Sequence, residues 1–149
     1  MQLSGSTLTD SVILQIKGFS GFTGQKVYNE RQVQNLVRPC FFVQQINLSQ
    51  RRELGVRYRR DYRISITWLP KQDDPTPRKS CREVGELLLG VFRYLHLPEN
   101  QLEHVKEPEY EIVDNELRFR MDVTIFAEWV DDVQPTMQTF DTNVNYKES

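Results

Sequence analysis

From Val56 to Leu69 the stretch VRYRRDYRISITWL alternates between two kinds of side chain. Val56, Tyr58, Tyr62, Ile64, Ile66 and Trp68 fall on one face, interrupted only by Arg60, and Arg57, Arg59, Asp61, Arg63, Ser65 and Thr67 fall on the other. A period of two predicts a half-buried antiparallel strand with an arginine stripe turned to water. At about 3.3 Å per residue this run would reach on the order of 45 Å, whereas most strands hold about 5–6 residues. A small core cannot cover such a strand. Its Arg51–Arg60 end is therefore expected to extend as an arm, with NLSQRRELG as the loop at the tip.

The remaining segments supply layers for that strand to pack on. Leu8, Val12, Ile16 and Phe19 recur at helical spacing after Thr7, which with Asp10 forms a capping-box pattern, so a first helix ends near Gly18. GFSGFTGQ then forms a glycine-rich turn; its glycines follow a helix, not a strand, which is the wrong setting for a phosphate loop. KVYN and PCFFVQQI (39–46) are expected strands, the second opening at a proline. Thr76 and Pro77 suit the N-cap and first turn of a second helix, whose buried face runs Cys81, Val84, Leu87, Leu88, Val91 and Leu95 and which stops at LHLPEN. Gly85 and Gly90 inside it imply close contact with the sheet. In the last unit Asp114 and Asn115 turn a hairpin whose second strand, Leu117 to Trp129, alternates without a break. The expected fold is α+β: an antiparallel or mixed sheet of about 4–5 long strands with two main helices on one face, a single domain over 1–133 and an aperiodic tail over 134–149.

Charge is distributed in blocks. Between Arg51 and Arg63 six arginines stand against two acids, while from Glu99 to Asp132 eleven acids stand against Lys106, Arg118 and Arg120. A nucleic-acid binder would carry its basic face without such a counterweight. Opposite blocks instead suit self-association, one subunit's basic patch meeting its neighbour's acidic one. Alternation also places Tyr58 and Tyr62 on the face opposite most of the arginines, so rings and cations do not line one groove as in a single-strand binder. His96 and His104 have no nucleophile motif beside them, the acids show no repeated ligand spacing, and Cys40 and Cys81 read as free buried thiols. No enzyme, metal or cofactor is expected. With no apolar run of membrane-spanning length, the chain is expected to be soluble and made in the cytoplasm.

RPCFFVQQINLSQRRELGVRYRRDYRISITWLP, the helix around CREVGELLLGVFRYL and the hairpin YEIVDNELRFRMDVTIFAEW together resemble the tail terminator proteins of phages and prophages of Gram-positive bacteria, including phage-derived tail-like bacteriocins. The resemblance runs from Tyr28 to Trp129 and is carried by Pro39–Val43, Gly55–Tyr58 and the hairpin around Tyr110 and Phe119; Trp68-Leu69-Pro70 at the close of the long strand departs from the pattern. It implies a homo-oligomeric ring, a hexamer, that binds the last ring of a tail tube, ends its polymerisation and offers a docking face to a head connector or collar. Sheath is a further implied neighbour, and DNA passes only as cargo. Such a particle would assemble in the host bacterial cytoplasm. A closed ring joins two different patches of one subunit. Arg57, Arg59 and Arg63 are the candidate basic patch, with Arg51 and Arg52 on the loop tip facing the tube or the lumen; Glu109, Glu111, Asp131 and Asp132 are the acidic one. A connector protein of the same particle and a nucleic-acid-binding domain using Arg51–Arg63 are the alternatives.

Overall fold

The computed structural model describes residues 5–30 and 34–128. Their elements run α1 (Gly5–Gly18), β1 (Lys26–Asn29), β2 (Cys40–Arg52), β3 (Arg57–Leu69), α2 (Pro77–Val91), β4 (Tyr94–Leu97), β5 (Gln101–Val113) and β6 (Glu116–Glu128). The fold is α+β with a mixed six-stranded sheet of order β1-β2-β3-β6-β5-β4. β1 pairs with β2 in parallel, and β5 pairs antiparallel with both β4 and β6. The chain divides into two compact units, to both of which β2, β3 and β6 contribute: a smaller one, described over 49–60 and 125–128, and a larger one over 5–30, 34–48 and 61–124.

In the larger unit α1 packs against β1 and β4, and α2 against β5. Leu8, Val12 and Ile16 are fully buried at the predicted helical spacing, as are Tyr62, Ile64 and Ile66 at the predicted strand spacing, which also buries Trp68. Burying each such side chain is worth about 1.5–3 kcal/mol. Phe22, in the 3-10 turn Ser20–Phe22 after α1, meets Phe19 and Phe41 edge-on at 4.9 Å, and Phe41 lies 6.4 Å from Trp68. Trp68 donates its indole N–H to Gln25 at 2.8 Å. The glycine-rich turn thus serves the core, with Gly24 at φ +86° where a side chain would be strained. On the opposite face of β2, Cys40 and Phe42 form a second buried cluster with Leu69, flanked by Tyr28 and Leu36. That cluster explains why alternation gives way to burial on both sides at Ile66–Leu69.

Asp114 and Asn115, both at positive φ (52° and 59°), make the predicted two-residue turn between β5 and β6. Other expectations are corrected. β2 continues six residues past Ile46 to Arg52, and the loop at its end contracts to 53–56, so Val56 belongs to a turn. Leu95 lies on β4, not on the second helix, whose buried residues are Cys81, Val84, Gly85 and Leu88; Leu87 faces outward at 41% exposure. β4, which was not expected, holds His96, and β5 begins at Gln101 and takes in His104, so the described strands number six. A Cβ on Gly85 would come within 2.9 Å of the Tyr110 ring, the close helix-to-sheet approach expected, whereas at Gly90 nothing lies within 4 Å. Thr76 holds the N-cap position without a side-chain bond; Asp74 does the capping, accepting the Thr76 N–H (2.8 Å) and the Ser80 hydroxyl (2.6 Å). The Ser80 bond first, then the Thr76 N–H, holds the Asp74 carboxyl below its usual range. Cys40 and Cys81 are free and buried; desolvation raises the Cys81 thiol, which donates to the Asn115 carbonyl at 3.6 Å.

Candidate functional site

The hairpin register sorts its residues onto two faces. Val105↔Val123, Tyr110↔Phe119 and Ile112↔Leu117 stand opposite one another on the face that meets α2, and Lys106↔Asp122, Glu109↔Arg120 and Glu111↔Arg118 on the other. The ladder shifts by one residue between Lys106 and Glu109, where Glu107 takes φ +49°, and this bulge lets Lys106 and Glu109 share a face although three residues apart. Every one of those polar pairs joins opposite signs, the arrangement that stabilises cross-strand neighbours.

The arginine stripe of β3 continues this charged face. Arg63 forks onto Asp122, Nε to Oδ1 at 2.9 Å and Nη2 to Oδ2 at 3.2 Å, and the Asp122 hydrogen bond followed by its charge raises the guanidinium pKa above its ordinary value. Thr124 donates to Asp61 at 2.6 Å while accepting from Lys106 at 3.1 Å, a chain of polar groups across β3, β6 and β5. Contacts 61–124 and 63–122 run in opposite directions along β3 and β6, the antiparallel sense. Arg120 bonds Glu111, and Arg118 lies 3.8 Å from Glu116. Of the predicted interface residues in this unit, Arg63 and Glu111 thus have partners within the chain, and Glu109 is exposed opposite Arg120. Alternation of Glu116, Arg118, Arg120, Asp122 and Thr124, counted from the two-residue turn, was the signal that could have identified these partners.

The smaller unit carries the other arginines of the Arg51–Arg63 block. Arg51 and Arg52 are exposed on β2, and Arg52 donates to the Gly55 carbonyl at 3.1 Å, where Gly55 takes φ +64°. Arg57 sits 4.2 Å over the Phe126 ring and 4.0 Å from Glu53. Arg60 donates to Gln50 at 2.6 Å, and Arg59 is half-buried. Leu54, Val56 and Phe126 are 89%, 47% and 48% exposed, so this unit shows water an apolar surface alongside its cations. Asp131, Asp132 and the expected tail over 134–149 lie outside the described residues.

No His, Cys, Asp and Glu cluster able to hold a metal occurs among the described residues, and no described helix is long and apolar enough to cross a membrane. Two adjoining open grooves of about 600 and 470 Å³ share Gln15, Gly18 and His96; the first is completed chiefly by Leu14, Leu97 and Pro98, the second by Leu87, Gly90 and Val91. Gln15 occupies their common wall, donating to the Val91 and Tyr94 carbonyls (3.0 and 2.8 Å) and accepting the His96 N–H (2.9 Å).

The sequence model of one protein family, described as phage tail terminator protein, matches residues 7–136. No curated protein matches the chain. The match spans nearly the whole sequence, and the chain belongs to that family: it is a structural protein of phage tails, not an enzyme.

Proposed function

We propose, taking membership of the phage tail terminator family as the premise, that this protein caps the tail tube as a hexameric ring, ends tube polymerisation and presents the docking face for a head connector or collar. The family match over residues 7–136 is the observation that carries the reading. A capping ring needs surfaces that bind neighbours without chemistry of their own, and the smaller unit supports this with exposed Leu54, Val56 and Phe126 beside Arg51, Arg52 and Arg57. Exposed apolar groups among arginines are the composition of protein interfaces.

Ring closure is heterologous, so the basic patch must find a different surface on the next copy. Arg51, Arg52, Arg57 and Arg59 are assigned to that contact, with Glu109 and the acids Asp131 and Asp132 as its counterpart. Arg63 and Glu111, which bind Asp122 and Arg120 across neighbouring strands, are assigned to the charged sheet face. Particle assembly then belongs to the bacterial cytoplasm, with tube, sheath and connector as neighbours and DNA only in transit. Light scattering on the eluting protein tests the assembly: a ring is expected for the parent, and Arg51→Glu with Arg52→Glu is expected to yield folded protein of lower mass. A monomeric parent in the presence of tube ends would overturn the ring.

A further inference from the structure

Among the described residues, each compact unit turns apolar side chains to water. On the smaller unit, the turn 53–56 between β2 and β3 is closed by the Glu53 N–H donating to the Arg57 carbonyl (2.9 Å) and the Arg57 N–H to the Leu54 carbonyl (3.1 Å). Leu54 is thereby held 89% exposed in a closed turn, with Arg51 and Arg52 before it and Arg57 after it.

On the larger unit the apolar surface is the pair of grooves that meet at Gln15. Leu14 in the first is 69% exposed and Leu87 in the second 41%. Gln15 offers little to a polar ligand, since both amide hydrogens go to the Val91 and Tyr94 carbonyls and its oxygen accepts the His96 N–H. The described lining of the two grooves holds one carboxylate, Glu86, and neither lysine nor arginine. Such a surface suits an apolar side chain and favours cations over anions beside it.

We infer that Leu54 of one copy seats in the groove at Gln15 of the next, making the β2–β3 turn the plug and the groove the socket of the ring contact. The inference rests on the ring reading. A plug and a socket at different places on one chain make a heterologous contact, which repeats around a closed ring, whereas two like patches would stop at a dimer. Charge agrees, with arginines flanking the plug and Glu86 lining the socket. The segments outside the described residues match the socket less well. Residues 129–149 carry Asp131, Asp132, Asp141 and Glu148 against Lys147, a net charge of the same sign as Glu86. Residues 1–4 have no charged side chain, and 31–33 are three residues joined to described chain at both ends.

A directional cross-link on the full-length protein tests the contact. Leu54→Cys and Leu14→Cys replace exposed side chains, and the native Cys40 and Cys81 are buried. With a short thiol-to-thiol cross-linker the double variant is expected to give a ladder on a denaturing gel, rising to the mass of the ring. A mixture of the two single variants is expected to give a dimer holding one of each, and either alone no product. Rings seen by light scattering without the ladder would overturn the inference and leave the ring reading intact, while a protein that never forms rings would overturn both. Product within one single variant would assign a like-to-like contact and contradict the proposal. Leu54→Asp is expected to keep the parent's melting temperature and to need on the order of tenfold more protein to assemble, as for loss of an anchor side chain. In that weakened background, maleimide labelling of Leu14→Cys on unassembled protein is expected to be unchanged by removing 1–4 or 129–149, or by replacing 31–33 with glycine. Faster labelling on any of these changes would give the groove to that segment and contradict the proposal.

Discussion

The two faces of the β5–β6 hairpin are cut from the same register but do different work. On one, Tyr110, Phe119, Ile112 and Leu117 pack under α2, and on the other Lys106, Asp122, Arg120, Glu111 and Arg118 alternate in sign and face water. Apolar burial is non-directional and accumulates with area, so the first face stabilises the fold. Exposed ion pairs contribute about 0–1 kcal/mol each, so the second contributes little stability and mainly fixes which charges stand where. Complementary blocks in a sequence therefore do not by themselves identify an intersubunit contact: part of this complementarity is satisfied at home, in Arg63–Asp122 and Arg120–Glu111. The smaller unit differs again, with its arginines set among exposed apolar side chains.

The comparison breaks most visibly at Phe119. Phe119→Ala removes a fully buried ring packed 6.2 Å from Phe92 and is expected to cost about 3–5 kcal/mol in thermal or denaturant unfolding. Arg118→Ala, one residue away on the charged face, should change stability by less than about 1 kcal/mol. Equal effects would mean that the two faces are not divided as described. Next in size is Gly85→Ala, which pushes a methyl into the Tyr110 ring and is expected to destabilise by about 1–3 kcal/mol. Gly90→Ala on the same helix meets open space and is expected to stabilise by about 0.4–1 kcal/mol, so the pair reports which side of α2 touches the sheet.

The smallest effect is expected at the helix start. Because the Asp74 carboxyl is held below its usual range, its contribution to stability is present above the unfolded-state pKa and is lost as pH falls through the folded-state value. Asp74→Asn should therefore melt below the parent at neutral pH and converge with it in acid, below a pH of about 4. A constant difference across that range would assign the loss to something other than ionisation.

Much of this was legible from residue order. Alternation over Leu117–Ile125, the Asp114-Asn115 turn and the α1 spacing each reflect a local rule that tertiary packing did not override. β4 was hidden because Leu95 continues the helical spacing of Leu88 and Val91, and four residues are too few to show a period of two. The first half of β5 was hidden by its charges, Pro108 and the bulge. At the site, the arginines and acids were visible as blocks, but partner choice depends on register across β3 and β6. Asp122 and Thr124 went unassigned until those strands were placed side by side.

Tail length in a strain deleted for this gene tests the capping role most directly. Tube subunits add by repeating one interface, so removing the cap should not stop polymerisation. Negative-stain microscopy of induced lysates is expected to show tubes of uncontrolled length that fail to join heads or, in a headless particle, lack a defined collar end. Tails of normal length in the deleted strain would contradict the assignment.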